Sequence, residues 1–204
     1  MRSEIKIFNQ SGDSLMIKQD LFQNLDGGLI PTSPLQMKIR KIRFETALLF
    51  YKKWHYLGDT IFLATINYGA YFSNILRGVI SYGSPNATEI NGYFNRHTQN
   101  GWFEIKRLAM DDKAPKYSES RFIGVSIKLL KKIFMVIGII ALADDSIGHK
   151  GIIYKASGFK YLGLTKQKKD FWVGDKIQQR GKTKGILGIW KDRSQKNLYI
   201  KKFI

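Results

Sequence analysis

Three neighbouring stretches of this chain carry side chains that can move protons or hold anions. Asp144-Asp145-Ser146 ends the apolar run Met135-Val-Ile-Gly-Ile-Ile-Ala-Leu-Ala143, Tyr154-Lys-Ala-Ser-Gly158-Phe159 follows shortly after, and Ser118-Glu119-Ser120-Arg121 precedes the run. A carboxylate at the C-terminal tip of a buried strand sits where open α/β sheets place their ligands. Asp144 is therefore the first candidate for accepting a proton or orienting an amine, with capping of the next turn as its competing role. Tyr154 offers a phenol that can donate a proton or hold a carbonyl, or else fills the core as an amphipathic ring. Ser120 and Arg121 are placed at a helix start, where Ser120 could bond a donor group and Arg121 a phosphate, and where a serine also serves as a plain cap. Arg107 is costly to bury unpaired, so it is expected to pair with Asp144 or Glu119 or to receive an anionic group. His55 lies between Trp54 and Tyr56, a cluster with a structural or a contact role.

The elements that must position these residues can be read around them. Pro115 interrupts regular structure, and the Ser/Glu pattern at 118–121 signals a helix N-terminus near Ser118. Ile123, Ile127, Leu130 and Phe134 then recur as one apolar stripe, while Lys128, Lys131 and Lys132 crowd the exit, where cations suit the helix dipole. The run to Ala143 is too short to cross a bilayer, which takes about 20 residues, and reads as a buried central strand. A second helix spans roughly 151–157 and closes on Gly158 as a left-handed cap.

Upstream, residues 1–36 read as a small appendage, a strand–turn–strand followed by the linker through Asp26-Gly-Gly28 and Pro31 to Pro34. Residues 37–204 form the main domain. It opens with a strand at 37–44 and a helix at 45–56, followed by an antiparallel hairpin of 61–72 and 75–82 turning at Ser73-Asn74. A loop at 86–100 precedes the strand carrying Arg107, and a further strand, 159–163, follows the second helix.

The 204 residues carry 34 Lys plus Arg against 16 Asp plus Glu, a formal charge of +18 that points to a polyanionic partner, nucleic acid before an anionic membrane. No long amphipathic basic helix, lipidation signal or long apolar span supports the membrane. The absence of cysteine excludes disulfides, thiolate nucleophiles and the cysteine-ligated zinc of cytidine-type deaminases. The N-terminus shows no signal-peptide core, and a cytoplasmic location is expected. The tail is the most basic part: Lys166, Lys168, Lys169, Lys176, Arg180, Lys182 and Lys184 are interleaved with Phe171, Trp172 and Trp190. That mixture suits phosphate contacts with base stacking, or simply a solvated lysine-rich hairpin.

The order strand, helix, hairpin, strand, loop-helix, strand, helix, strand, together with Tyr154-x-x-x-Gly158-Phe159, resembles the N-acetyltransferase (GNAT) fold. More specific is the ordered set Lys53-Trp54-His55-Tyr56, Arg107-Leu108-Ala109, Ala114-Pro115-Lys116 with Ser118-Glu119-Ser120-Arg121, Ala143-Asp144, and Ile153-Tyr154-Lys-Ala-Ser-Gly-Phe159. Over roughly residues 45–165 it resembles the phage Mom DNA-modification proteins. The resemblance implies a GNAT-like α/β fold, a mixed sheet flanked by helices, and conversion of adenine in double-stranded DNA to N6-carbamoylmethyladenine as protection from restriction. It implies a phage- or prophage-encoded protein acting in a bacterial host, with acetyl-CoA or a related donor.

In that fold the phenol at Tyr154 stands by a departing thiolate. The usual Gln/Arg-x-x-Gly-x-Gly/Ala pyrophosphate loop is missing here, and Lys116, Ser118, Glu119 and Arg121 stand in its place, where N–H groups at a helix start can hold an anion. Adenine in a duplex must be flipped out to react. His55 is a candidate to contact the flipped base. Iron has been associated with the family, and His55 and Asp144 are the ligand types available for it. The Asp/Asn-Pro-Pro-Tyr signature of amino-methyltransferases is absent. An acyltransferase acting on tRNA or protein amines, and a non-catalytic nucleic-acid-binding module, are the alternative readings.

Overall fold

The computed structural model describes residues 30–58, 60, 62–178 and 183–203. The expected strand–turn–strand of the appendage, Arg180 and Lys182 lie outside the described residues. The elements run β1 (Lys38–Ile42), α1 (Phe44–Trp54), β2 (Ile66–Phe72), β3 (Ile75–Gly83), β4 (Trp102–Met110), α2 (Ser118–Ile133), β5 (Gly138–Ala143), α3 (Ile152–Ala156) and β6 (Lys160–Leu164). There follow β7 (Lys169–Val173), β8 (Lys176–Ile177), β9 (Ile189–Asp192) and β10 (Asn197–Lys202).

Seven strands make the main sheet in the order β1-β2-β3-β4-β5-β10-β6, and β8-β7-β9 form a separate small sheet. All pairings in the main sheet are antiparallel except β4 with β5, which α2 connects as a crossover helix. The hairpin turn falls where it was expected. Ser73 and Asn74 both take left-handed backbone (φ 47° and 66°), the conformation whose twist matches two antiparallel strands. The sequence pattern does not show that β10, from the far end of the chain, inserts between β5 and β6.

Both faces of the sheet are covered. Phe122, Ile123, Ile127 and Leu130 of α2 pack with Tyr154 and Phe159 against Tyr68, Ile80, Tyr82, Ile139 and Tyr199. On the opposite face Ala47, Phe50 and Tyr51 of α1 pack on Leu76, Val79 and Ala109. The loop expected at 86–100 is largely structural: Phe94 packs on Trp102, Ile140 and Ile200. Two buried polar links tie helices to strands. Tyr51 donates to the Arg107 carbonyl at 3.1 Å and lies 2.8 Å from Ser81 Oγ, while Tyr82 and Ser126 hydroxyls meet at 2.7 Å.

The start of α2 departs from the capping pattern. Its N-cap is Tyr117 in left-handed backbone (φ 67°) with no side-chain cap, and Ser120 Oγ instead donates to the Tyr117 carbonyl at 3.1 Å. The turn before it is secured by a buried ion pair, Arg77 Nη1 to Asp111 Oδ2 at 2.9 Å, and by the Asp111 amide donating to the Arg77 carbonyl. Removing one partner of such a pair strands a charge in the interior. Asp111→Ala is expected to cost about 3–5 kcal/mol, measured as a lower denaturant midpoint, with Asp111→Asn costing less.

Candidate active site

Parallel pairing of β4 with β5 runs from Trp102↔Gly138 to Ile105↔Ala141 and stops there, although β4 continues for five residues. At the same point β4 carries a bulge. Ser81 faces Arg107 and Tyr82 faces Ile105, which leaves Lys106 extra. A bulge bends its strand and raises the local twist, and β4 leaves β5. The opening is a cavity of about 850 Å³ whose walls include Lys106 to Met110 on one side and Leu142, Ala143 and Asp144 on the other. Beyond the strands it is closed by Trp54 to Leu57 after α1, by Glu119 of α2, and by Gly148 to Tyr154 leading into α3.

Asp144 sits at the strand tip on the cavity wall, yet its oxygens are already engaged. Oδ1 accepts from the Ser146 amide (3.2 Å) and hydroxyl (2.5 Å), and Oδ2 faces Lys196 Nζ at 3.5 Å. Burial works to raise its pKa, but the Ser146 hydrogen bonds and the Lys196 ammonium together hold the carboxyl below its ordinary range. The group is thus a fixed carboxylate, both a cap and a lining residue, rather than a loosely held base.

Beside it is an aromatic rim. His55 and Tyr56 rings stack at 4.6 Å, and His149 meets Tyr56 edge-on at 5.6 Å. His55 Nδ1 accepts from the Leu57 amide, so the ring is fixed in the turn after α1. Burial first, then the positive charges of Arg107, His149 and Lys196, lower its pKa to about 4. The imidazole is neutral at ordinary pH.

Tyr154 reaches the cavity from α3, buried against Phe159 and Tyr199. Burial, followed by Tyr56, Glu104 and Tyr199, pushes its phenol above the usual range, so it remains a proton donor. Gly151 makes the approach of α3 possible: its backbone is left-handed (φ 69°), and a Cβ there would stand 2.3 Å from the Tyr199 ring. Glu104 was not singled out from the sequence. It lies buried on the cavity wall at the last turns of β4–β5 pairing, accepting from the Asn86 amide at 2.7 Å and facing Lys106 Nζ at 3.2 Å. A lone Glu in an alternating strand carries no signal of which pocket it faces. Lys196 and His149 were missed for the same reason.

A profile of the family described as Mom protein family matches residues 36–202. This chain belongs to the Mom family. Among curated relatives, the methylcarbamoylase mom of Escherichia phage Mu is 24% identical over 140 residues, 68% of this chain and 58% of the relative. The alignment thus spans less than two thirds of that relative's length. Among solved structures, the acetyltransferase AAC(6')-Ib with ribostamycin and coenzyme A superposes with a TM-score of 0.53 at 13% identity, over 82% of this chain and 93% of that one. The same enzyme with coenzyme A and kanamycin gives 0.51 at 13% identity over 81% and 94%. At such identity the likeness establishes the fold, the GNAT-like N-acetyltransferase fold expected from the sequence.

In this Mom-family chain the remaining sequence candidates divide. Asp144, Tyr154, His55, Arg107 and Glu119 line one cavity; Ser118, Ser120, Arg121 and Lys116 are not among its lining residues. Ser118 Oγ is fully buried without a hydrogen-bond partner, and Ser120 is turned to the helix start and to α3, where Ser157 Oγ approaches its carbonyl. Arg107 pairs with neither Asp144 nor Glu119 in the way its burial suggested. Its guanidinium donates to the carbonyls of Gly58 (2.8 Å) and Thr60 and covers the Phe62 ring at 4.3 Å, holding the segment after α1 against the sheet. Of the basic tail, Lys166, Lys168, Lys169 and Lys176 are exposed, while Trp172 is half-buried beneath Lys191 at 4.6 Å.

The residues fit an extended donor such as a coenzyme A thioester. From Lys106 to Met110 one edge of β4 lines the cavity and has no strand partner among the described residues, and unpaired backbone groups there can bond an extended chain. The first turn of α2, with Glu119 on the wall, offers amide donors to an anion. Iron is a poorer match. Among the described residues no group of three or more His, Asp or Glu gathers to hold a metal, and Asp144 is already bonded by Ser146 and Lys196.

The lowered His55 pKa has a sign that can be measured. A folded-state pKa near 4 against an ordinary 6.5 means the folded protein binds fewer protons, so this contribution to stability is full above 6.5 and is lost as pH falls toward 4. His55→Gln is expected to lose less melting temperature than the parent over that acid range, read by thermal denaturation at a series of pH values.

Proposed function

We propose that this Mom-family chain is a transferase that modifies the N6 amine of adenine in double-stranded DNA, forming N6-carbamoylmethyladenine and so shielding phage DNA from restriction. The observation that carries the reading is one cavity, at the point where β4 leaves β5, that unites a strand edge unpaired among the described residues, a fixed carboxylate, a buried phenol and a neutral aromatic rim. The formal charge of +18 supports a polyanionic substrate, and membership of the family supports DNA as that polyanion.

In this reading a flipped adenine stacks on the Tyr56–His55 rim, whose neutral imidazole and ring edges suit a nucleobase. Asp144 accepts a hydrogen bond from the exocyclic amine and orients its lone pair toward the donor. Glu104, buried on the same wall, completes the acidic lining. Tyr154 keeps its proton until a leaving group develops charge and then supplies it. When bound, a coenzyme A thioester would supply an acyl group and a thiolate to depart; N6 would lose one proton to solvent beside Asp144 and the thiolate would take one from Tyr154, which balances for N6-acylation. Glu119 on the cavity wall marks where the first-turn amides of α2, in the segment that also carries Lys116, Ser118, Ser120 and Arg121, would hold its phosphates, and Arg107 holds the carbonyls of Gly58 and Thr60. The exposed lysines Lys166, Lys168, Lys169 and Lys176, with Arg180, Lys182 and Trp172, seat the DNA backbone. The carbamoylmethyl product needs an N6–CH2 bond, which attack on an acyl carbonyl does not form, so the product itself must be read.

The acetyltransferase fold also supports a second reading, acyl transfer to a tRNA or protein amine. One experiment separates the two. DNA from cells expressing the protein is digested and its nucleosides analysed by mass spectrometry, beside labelled acyl transfer to RNA and peptide. An N6-carbamoylmethyl-2′-deoxyadenosine species is expected; unaltered deoxyadenosine with labelled RNA or peptide would establish the second reading. Tyr154→Phe and Asp144→Asn are expected to lower modification by about 10²-fold or more with duplex binding retained. Binding itself should weaken steeply with salt, because Lys and Arg contacts release counterions.

A further inference from the structure

We propose that Leu187 is a wedge that enters the base stack of duplex DNA and holds the target adenine out of the helix. The proposal rests on the DNA reading above and adds the device by which a buried base would be reached.

Leu187 is 94% exposed, with Ile189 and Trp190 beside it at 59% each. An apolar side chain so fully in water gains nothing from folding, and a cluster of them marks a contact surface. The tip cannot relax into the small sheet behind it. A Cβ at the neighbouring Gly188 would stand 2.4 Å from the Trp172 carbonyl and 2.7 Å from the Phe171 ring, so the backbone already lies flush on β7. Below, the Phe171 and Trp190 rings meet at 5.1 Å. The Asp170 carboxylate holds Arg193, whose amide donates to the Lys168 carbonyl at 2.8 Å. The small sheet is thus a braced pedestal that presents its apolar edge outward.

Its root is at the active site. The Thr165 amide donates to the Lys196 carbonyl and the Lys196 amide to Thr165 Oγ1, both at 2.9 Å, closing the base of the excursion. Lys196 in turn lines the cavity and faces Asp144. A duplex that delivers adenine to that cavity meets the base from which the pedestal extends.

The chemistry around the tip selects the occupant. Lys176, Lys184 and Lys191 of the same excursion are exposed, and a partner that offers both phosphates and an apolar interior is a stack of base pairs. Leucine is among the side chains that proteins insert between base steps, and such insertion unstacks the site and kinks the duplex. Extrusion of a paired base costs unstacking, least where pairing is already lost.

The test compares the parent, Leu187→Ala and Leu187→Phe on duplexes with a central 2-aminopurine, whose fluorescence rises on extrusion, and on duplexes in which the adenine is paired or mismatched. The exposed position leaves folding intact, checked by an unchanged melting temperature. Leu187→Ala is expected to abolish the 2-aminopurine rise and to lower modification of paired adenine about tenfold or more, with the mismatched adenine spared and Leu187→Phe close to the parent. Equal losses on paired and mismatched adenine, or no loss at all, would overturn the wedge. If the parent modifies neither duplex, the proposed function falls, while the fluorescence comparison still decides the wedge. Co-sedimentation with phosphatidylglycerol–phosphatidylcholine vesicles covers the lipid alternative: vesicle binding lost in Leu187→Ala with the DNA signal unchanged would overturn the proposal.

Discussion

The structure turns on the point at which two parallel strands stop pairing. After Ile105 and Ala141, β4 and β5 no longer exchange hydrogen bonds, and the extra residue Lys106 in β4 marks the same position. The other interior strands of the sheet pair on both sides. Here, among the described residues, the sheet leaves one edge of β4 unpaired beside a cavity of about 850 Å³, which a compact interior would otherwise fill. The cost is accepted because an unpaired edge facing a cleft is a ready-made partner for an extended ligand.

Keeping that gap open requires supports on both faces of the sheet. On one face α1 is fixed through Tyr51, whose hydroxyl donates to the backbone of Arg107, while the Arg107 guanidinium grips the carbonyls of Gly58 and Thr60. On the other face α3 is brought close by Gly151 and packs Tyr154 against Tyr199 of β10. Arg107 therefore serves the site by holding its wall. Its guanidinium donates to two backbone carbonyls and covers the Phe62 ring, as buried polar groups are expected to find partners.

The electrostatics of the cavity are divided rather than uniform. Asp144 is kept ionised by Ser146 and Lys196, Tyr154 is kept protonated by burial, and His55 is kept neutral by burial and surrounding cations. Environments that push neighbouring groups apart in proton affinity give each a fixed role near neutral pH. The +18 charge of the chain lies mainly outside this lining, on the surface and in the excursion between β6 and β10. A site built this way can attract a polyanion without placing a lysine ammonium against every reacting atom.

Local pattern alone determined much of this. The apolar stripe of α2, the β-branched run of β5, the Ser73-Asn74 turn and the Gly158 cap each depend on neighbours a few residues away, and all appear where sequence placed them. The ordered motifs that resemble Mom proteins also anticipated the family and the fold. The partners of individual side chains were a different matter. That Arg107 holds a loop, that Lys196 answers Asp144, and that Glu104 faces the cavity are long-range facts, decided by β10 inserting between β5 and β6 and by the bulge at Lys106. Even the start of α2 followed tertiary demand, since Tyr117 adopts left-handed backbone where a capping serine was expected. Periodicity encodes which face of an element is buried; only the folded sheet decides what that face meets, because contacts between distant segments depend on strand order that no local pattern records.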